Sequence, residues 1–146
     1  MLDVRPSPIA GTWYEGNKET LARVVDNFLN NAQLPALDGE VIGVIAPHAG
    51  HQYSGAVAGY AFAVIKELKP DLVAVISPFH NYSNHPLLTT AHDAYGTPLG
   101  RIEVDKSAMA ELSSHLDIPI TPVFADKEHS LEIELPFLQR ALNNEF

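Results

Sequence analysis

Hydrophobic positions along this chain fall into two kinds of run. One kind is periodic: Leu21, Val24, Val25, Phe28 and Leu29 recur at i, i+3, i+4, i+7 and i+8, which is one face of a helix, and Asn17 stands where an N-cap is wanted. A second helix is predicted after Ser54, with Val57, Tyr60, Ala61, Val64, Ile65 and Leu68 as its core stripe. Gly55, Ala58 and Gly59 near its start would let it lie close against a sheet. The other kind of run is continuous. Residues 41–46 and 72–76 are short, rich in β-branched side chains and free of charge, which is how strands buried on both faces of a sheet read. With the second helix between them and Lys69-Pro70-Asp71 ending it, residues 41–76 form a predicted βαβ unit with a right-handed crossover.

Beyond residue 80 the pattern weakens. Strands are predicted over 87–95 and 102–104, separated by the turn residues Gly96, Pro98 and Gly100. Asp105 can cap a short helix over 106–115 with Met109 and Leu112 facing inward. Pro119 and Pro122 restrict 118–124 to an edge strand or an extended loop. Ser130 can cap a last helix with Glu132 in its first turn and Leu131, Leu135, Leu138 and Leu142 as its apolar stripe, which Pro136 should bend or delay. The fold class expected is therefore α/β, a βαβ-based mixed or parallel sheet with flanking helices. The final helix signal runs to residues 143–146 with no strand after it, and this reads as an incomplete domain over 1–146.

Each continuous run ends in a histidine: Ala46-Pro47-His48-Ala49-Gly50 after the first, Ser77-Pro78-Phe79-His80 after the second. Open α/β sheets bind ligands outside the carboxyl ends of their strands, so adjacent strands would bring these imidazoles to one place. His48 and His80 are a candidate metal pair, and their separation of 32 residues (80 − 48) suits a crossover and not a helical clip. By spacing alone the competing reading, in which both merely hydrogen-bond loop backbone, stays open. His51 is a candidate to support the pair or to face solvent. Tyr53 beside the Pro-His-Ala-Gly turn is a candidate pocket residue, and Trp13 and Tyr14 are expected to pack at an edge of the core. His129 and Glu132 are candidates to orient ligands or touch substrate, against a reading of simple helix capping. His85, His92 and His115 are expected at the surface or in strands.

Composition narrows the classes. A chain of 146 residues with 46% hydrophobic and 18% charged positions suits one globular domain. It has no cysteine, so it offers neither disulfide nor thiolate ligand. Eighteen acidic residues against nine basic give a net charge of −9, which opposes nonspecific attraction to nucleic acid or anionic membrane. The N-terminal residues lack a signal-peptide pattern and no window is apolar enough to span a bilayer, so a cytoplasmic protein is expected. No phosphate-binding glycine loop and no nucleophile elbow is present.

Six spaced segments, taken together, carry a resemblance. Arg5-Pro6 with Ala10-Gly11-Thr12-Trp13-Tyr14, Ala46-Pro47-His48-Ala49-Gly50 with Tyr53-Ser54-Gly55, Pro78-Phe79-His80, Thr97-Pro98-Leu99-Gly100, Glu128-His129-Ser130-Leu131-Glu132 and Leu135-Pro136-Phe137 resemble the Memo family. Its bacterial and archaeal members are named AmmeMemoRadiSam system protein B, and this chain resembles about the N-terminal half of the family's domain. The resemblance implies a fold like that of class III extradiol dioxygenases, with a non-haem metal site in which His48 and His80 are two ligands. It implies iron, with copper or zinc as alternatives. The third ligand, a cysteine in the family, and an Asp/His pair are implied to lie in the half this chain does not reach. Phe79 stands where the family often has serine. The function so implied is a metal-binding redox or dioxygenase-like protein of unknown substrate, working with radical SAM system proteins. A peptide-binding module without catalysis and a metal-dependent hydrolase are the alternatives, with the small-molecule or peptide ligand open.

Overall fold

The computed structural model describes residues 2–66, 68–124, 127–142 and 146. Asn17 begins the first helix as its sequence demands: its Oδ1 accepts from Thr20 N at 2.9 Å, and α1 runs over Lys18–Asn31. Leu21, Val25 and Leu29 are its buried stripe. Helix α2 covers His51–Ala63 and starts at Gly50, four residues before the predicted cap at Ser54. Its buried face is also different from the predicted one. His51, Gly55, Ala58, Gly59 and Phe62 point inward, while Val57 and Tyr60 face solvent.

Packing against α1 explains that inversion. A Cβ on Gly55 would stand 2.5 Å from Cε2 of Phe28, and one on Gly59 would stand 2.5 Å from the Phe28 carbonyl oxygen. The small residues thus serve close helix-to-helix approach and not approach to a sheet. Only the Gly-Ala-Gly face lets the two backbones come so near, and burying it excludes the bulkier Val57 and Tyr60.

Two small sheets flank this helical core. Strand β1 (Val4–Arg5) pairs in parallel with β3 (Ala94–Thr97), and β3 pairs antiparallel with β4 (Gly100–Glu103). Strand β2 (Leu87–Thr90) pairs in parallel with β5 (Ile120–Val123), so Pro122 sits in a two-stranded sheet in which every strand is an edge. Helix α3 is Lys106–His115, capped by Asp105, and none of its residues is buried; Leu112 faces solvent, contrary to expectation. The chain then makes a 3-10 turn over Glu132–Glu134 and enters α4, Leu135–Ala141. Pro136 sits in the first turn of α4, where a missing N–H costs nothing, and so delays the helix rather than bending it. The sequence-predicted end of this helix at 143–145 lies outside the described residues. The architecture is mixed α/β with a mixed sheet and flanking helices.

The two continuous runs depart from their prediction. All of 41–46 and 72–76 is described, and none of it joins a strand ladder. Burial alternates along 72–76, where Val73 and Val75 lean on the core and Leu72, Ala74 and Ile76 are exposed. In 41–46 only the two ends, Val41 and Ala46, lean on the core, and Ile42 and Ile45 are 95 and 99% exposed, so a pattern written for two buried faces is at most half covered here.

The core lies between the helices. Leu21, Val25 and Leu29 meet Ala58 and Phe62 of α2 and Phe137, Leu138 and Ala141 of α4, and the Phe62 and Phe137 rings stack with centroids 5.1 Å apart. Among the described residues, no helix is long and apolar enough to cross a membrane.

Candidate metal centre

A buried ion-pair network anchors the segment that carries the site. Arg5 Nη1 donates to Glu132 Oε2 at 2.6 Å, and Arg5 Nη2 donates to the Glu128 carbonyl at 2.6 Å. Tyr14 OH donates to Glu132 Oε1 at 2.8 Å, and the Ser7 hydroxyl donates to the same oxygen. Burial, with the Glu132 carboxylate beside it, pushes the Tyr14 phenol up, so it remains a donor. These contacts tie 5–14 to 128–132 across more than a hundred residues. Glu132, a candidate pocket residue by sequence, is instead committed to this internal network.

Above the network, three imidazoles gather. The His48 and His80 ring centroids are 5.2 Å apart, His80 and His129 stack at 4.7 Å with 14° between planes, and His48 and His129 are 6.5 Å apart. His48 follows the run at 41–46 and His80 follows the run at 72–76, so these two extended segments deliver their imidazoles to one place without pairing as strands. Segment 128–130 brings the third. Donor atoms of His80, Glu128 and His129 all lie within 4.8 Å of one another. Trp13, expected in the core edge, covers the cluster: its ring lies 4.1 Å from that of His129.

Glu128 ties the loops together. Its Oε2 accepts from His80 N at 2.6 Å, and its Oε1 accepts from His129 N at 2.9 Å and Ser130 N at 3.0 Å and lies 2.9 Å from His80 Nδ1. Burial alone would raise this carboxyl, but the N–H groups of His80, Ser130 and His129 overrule it and hold it at about 2. Ser130, read from sequence as a helix cap, donates its hydroxyl to the Pro78 carbonyl, and its oxygen lies 3.1 Å from Ser77 Oγ, lacing 128–130 to 77–80. His129 is held below the ordinary imidazole value, by burial first and by the neighbouring His80 and His48 after it, which favours the neutral ring a metal requires.

Two other candidates lie elsewhere. His51 is buried in the core, its Nε2 3.1 Å from the Ile133 carbonyl and its ring 4.9 Å from Phe137, and burial lowers it. Tyr53 is exposed on α2, where α2 turns its small residues inward and its larger ones out. Sequence reasoning passed over Glu128 as a site residue and assigned Trp13 to an edge of the core. Glu128 did carry a signal, a carboxylate immediately before a histidine and a serine at the start of a helix, but no pattern within the sequence shows that its partner is a residue 48 positions away.

Comparison with known proteins places the molecule. The family described as Memo-like protein matches residues 5–146. The chain is 35% identical over 146 residues to a MEMO1 family protein of Pyrobaculum aerophilum, covering 94% of this chain and 52% of that one. It is 31% identical to a MEMO1 family protein of Nitrosopumilus maritimus, covering 98% and 54%. It is 32% identical to the memo-1 homolog of Caenorhabditis elegans, covering 96% and 40%. The chain thus spans about half the length of the first two relatives. With a match that runs from Arg5 to the last residue, the chain belongs to the Memo-like family.

Proposed function

We propose that His48, His80 and His129 hold a divalent or redox metal, iron first, in a metal-binding protein of dioxygenase-like redox chemistry. One observation carries this reading: three imidazoles from three separate segments stand with ring centroids 4.7 to 6.5 Å apart. Stacked histidines with no such purpose would repel on protonation and would gain little as neutral rings, so bringing three together calls for a shared partner. Neutral imidazole nitrogens suit iron, copper and zinc, and no thiolate is available in this chain to select among them. Donor atoms of His80 and His129 lie within 4.8 Å of one another, with the His48 ring beside His80, so the residues present fit such an ion. When bound, it would supply Lewis acidity or one-electron chemistry at a position left open by an incomplete protein ligand set.

The chain's own residues shape that position. Trp13 shields one side of His129, and Glu128 with Ser130 holds the two loops at a fixed spacing. The test is an anaerobic calorimetric titration of the 146-residue chain with Fe(II), Cu(I) and Zn(II), beside His48→Ala and His80→Ala variants. One-to-one binding that either variant weakens at least tenfold is the expected result. Equal binding in the variants, or none in the parent chain, overturns the reading, and tight binding of Zn(II) alone turns it toward metal-dependent hydrolysis.

A further inference from the structure

Resting on the metal reading above, we infer that Glu128 is a positioning residue that fixes the tautomer and the ring orientation of His80, leaving Nε2 as the donor that faces the site. The inference stands on how Glu128 grips His80 at two points. Its Oε2 takes the His80 backbone N–H at 2.6 Å, and its Oε1 lies 2.9 Å from Nδ1 of the same residue. A grip on backbone and ring together sets where the residue sits and how its ring is turned; a single contact would leave rotation about the side chain free.

The chemistry of the partner then dictates the proton. An ionised carboxylate only accepts, so the contact at Nδ1 is a hydrogen bond only if Nδ1 carries the hydrogen, and the neutral ring must then present a bare Nε2. Carboxylate partners of this kind commonly hold metal-binding histidines in one tautomer.

Glu128 itself is poorly placed to be a ligand. Oε1 is taken up by the His80 ring and the backbone N–H groups of His129 and Ser130, and Oε2 is held by the His80 backbone N–H at 2.6 Å, so both oxygens are already committed to the loops they tie. Its side chain is 9% exposed, whereas that of His80 is 44% exposed. The carboxylate lies beneath and the imidazole stands at the open side. The base of the grip is rigid as well, because Arg5 holds the Glu128 carbonyl and Ser130 bridges to Pro78.

Glu128→Gln tests this with two readouts. The amide keeps the size and one acceptor, but in either orientation it turns an NH2 group toward an N–H that the carboxylate accepted. In chain labelled with 15N-histidine, long-range 1H–15N spectra without metal should show His80 protonated at Nδ1, and a mixture of tautomers in Glu128→Gln. Titration with Co(II), followed by its visible absorption, should show affinity about 10- to 100-fold weaker in the variant. His80 protonated at Nε2 in the parent chain overturns the inference without any variant, so it stays decidable even if the substitution impairs folding. A loss of affinity with the tautomer unchanged also overturns it and makes Glu128 a ligand. No Co(II) binding by the parent chain, with the Nδ1 tautomer present, overturns the metal reading alone.

Discussion

Glu134 is the residue most at odds with its surroundings. It is buried, neither carboxylate oxygen has a hydrogen-bond partner among the described residues, and desolvation pushes it up to about 8. A carboxyl raised on folding stabilises the fold below its unfolded value, ordinarily about 4.3, and that contribution is lost as pH climbs toward 8. Glu134→Gln is therefore expected to match the parent in urea denaturation at pH 4 and to exceed it by about 1–3 kcal/mol at pH 9. A parent chain that is no less stable at pH 9 than at pH 5 relative to the variant would refute this. Arg5 presents the opposite case, a buried cation fully paired. Arg5→Ala leaves Glu132 charged and uncompensated, and should cost about 3–5 kcal/mol by the same measurement. Sequence alone named two caps at this scale, Asn17 and Asp105, whose side chains accept from Thr20 N and Ala108 N, because a cap reaches only three residues. It could not pair Arg5 with Glu132 or Glu128 with His80, since nothing local distinguishes those carboxylates from solvated ones.

Among the elements, α2 shows how packing overrides periodicity. Its apolar positions are so dense that several faces satisfy a helical stripe, and the predicted one was the wrong choice. The face that wins is the one whose small residues admit Phe28. Gly59→Ala should consequently destabilise the chain by about 1–3 kcal/mol, although alanine is the better helix former by about 1 kcal/mol, because the new methyl meets the Phe28 carbonyl. Ala56→Gly on the exposed face of the same helix should cost about 1 kcal/mol with no steric part. Helices α1 and α3 appeared at their predicted places because each has one apolar stripe or one clear cap. The runs at 41–46 and 72–76 carried composition suited to buried strands, but a strand also needs a neighbour to pair with, and pairing is a property of the sheet and not of the segment.

For the whole molecule, the consequence is exposed apolar surface. Ile42, Ile45, Leu72 and Ile76 are each exposed, on segments that also send side chains to the core. The chain should bind a hydrophobic dye such as ANS in its native state, and Ile45→Lys with Ile76→Lys should remove most of that fluorescence while shifting the melting temperature by less than about 2 °C. Retained dye binding in the double variant would place the exposed surface elsewhere. The charge of −9 limits association through this surface but does not cover it.

The sequence by itself determined which segments are helical, that Asn17 and Asp105 start two of them and Pro136 delays a third, and that histidines follow both apolar runs, because caps, periodicity and backbone restriction act over a few residues. Its six motifs also placed the chain in its family, since spaced matches in order seldom arise by chance. Tertiary structure alone decided which face of α2 is buried, that the apolar runs stay unpaired among the described residues, and that His129, Trp13 and Glu128 join His48 and His80. Those outcomes depend on contacts between residues tens of positions apart, whose closeness follows only once the helices have packed.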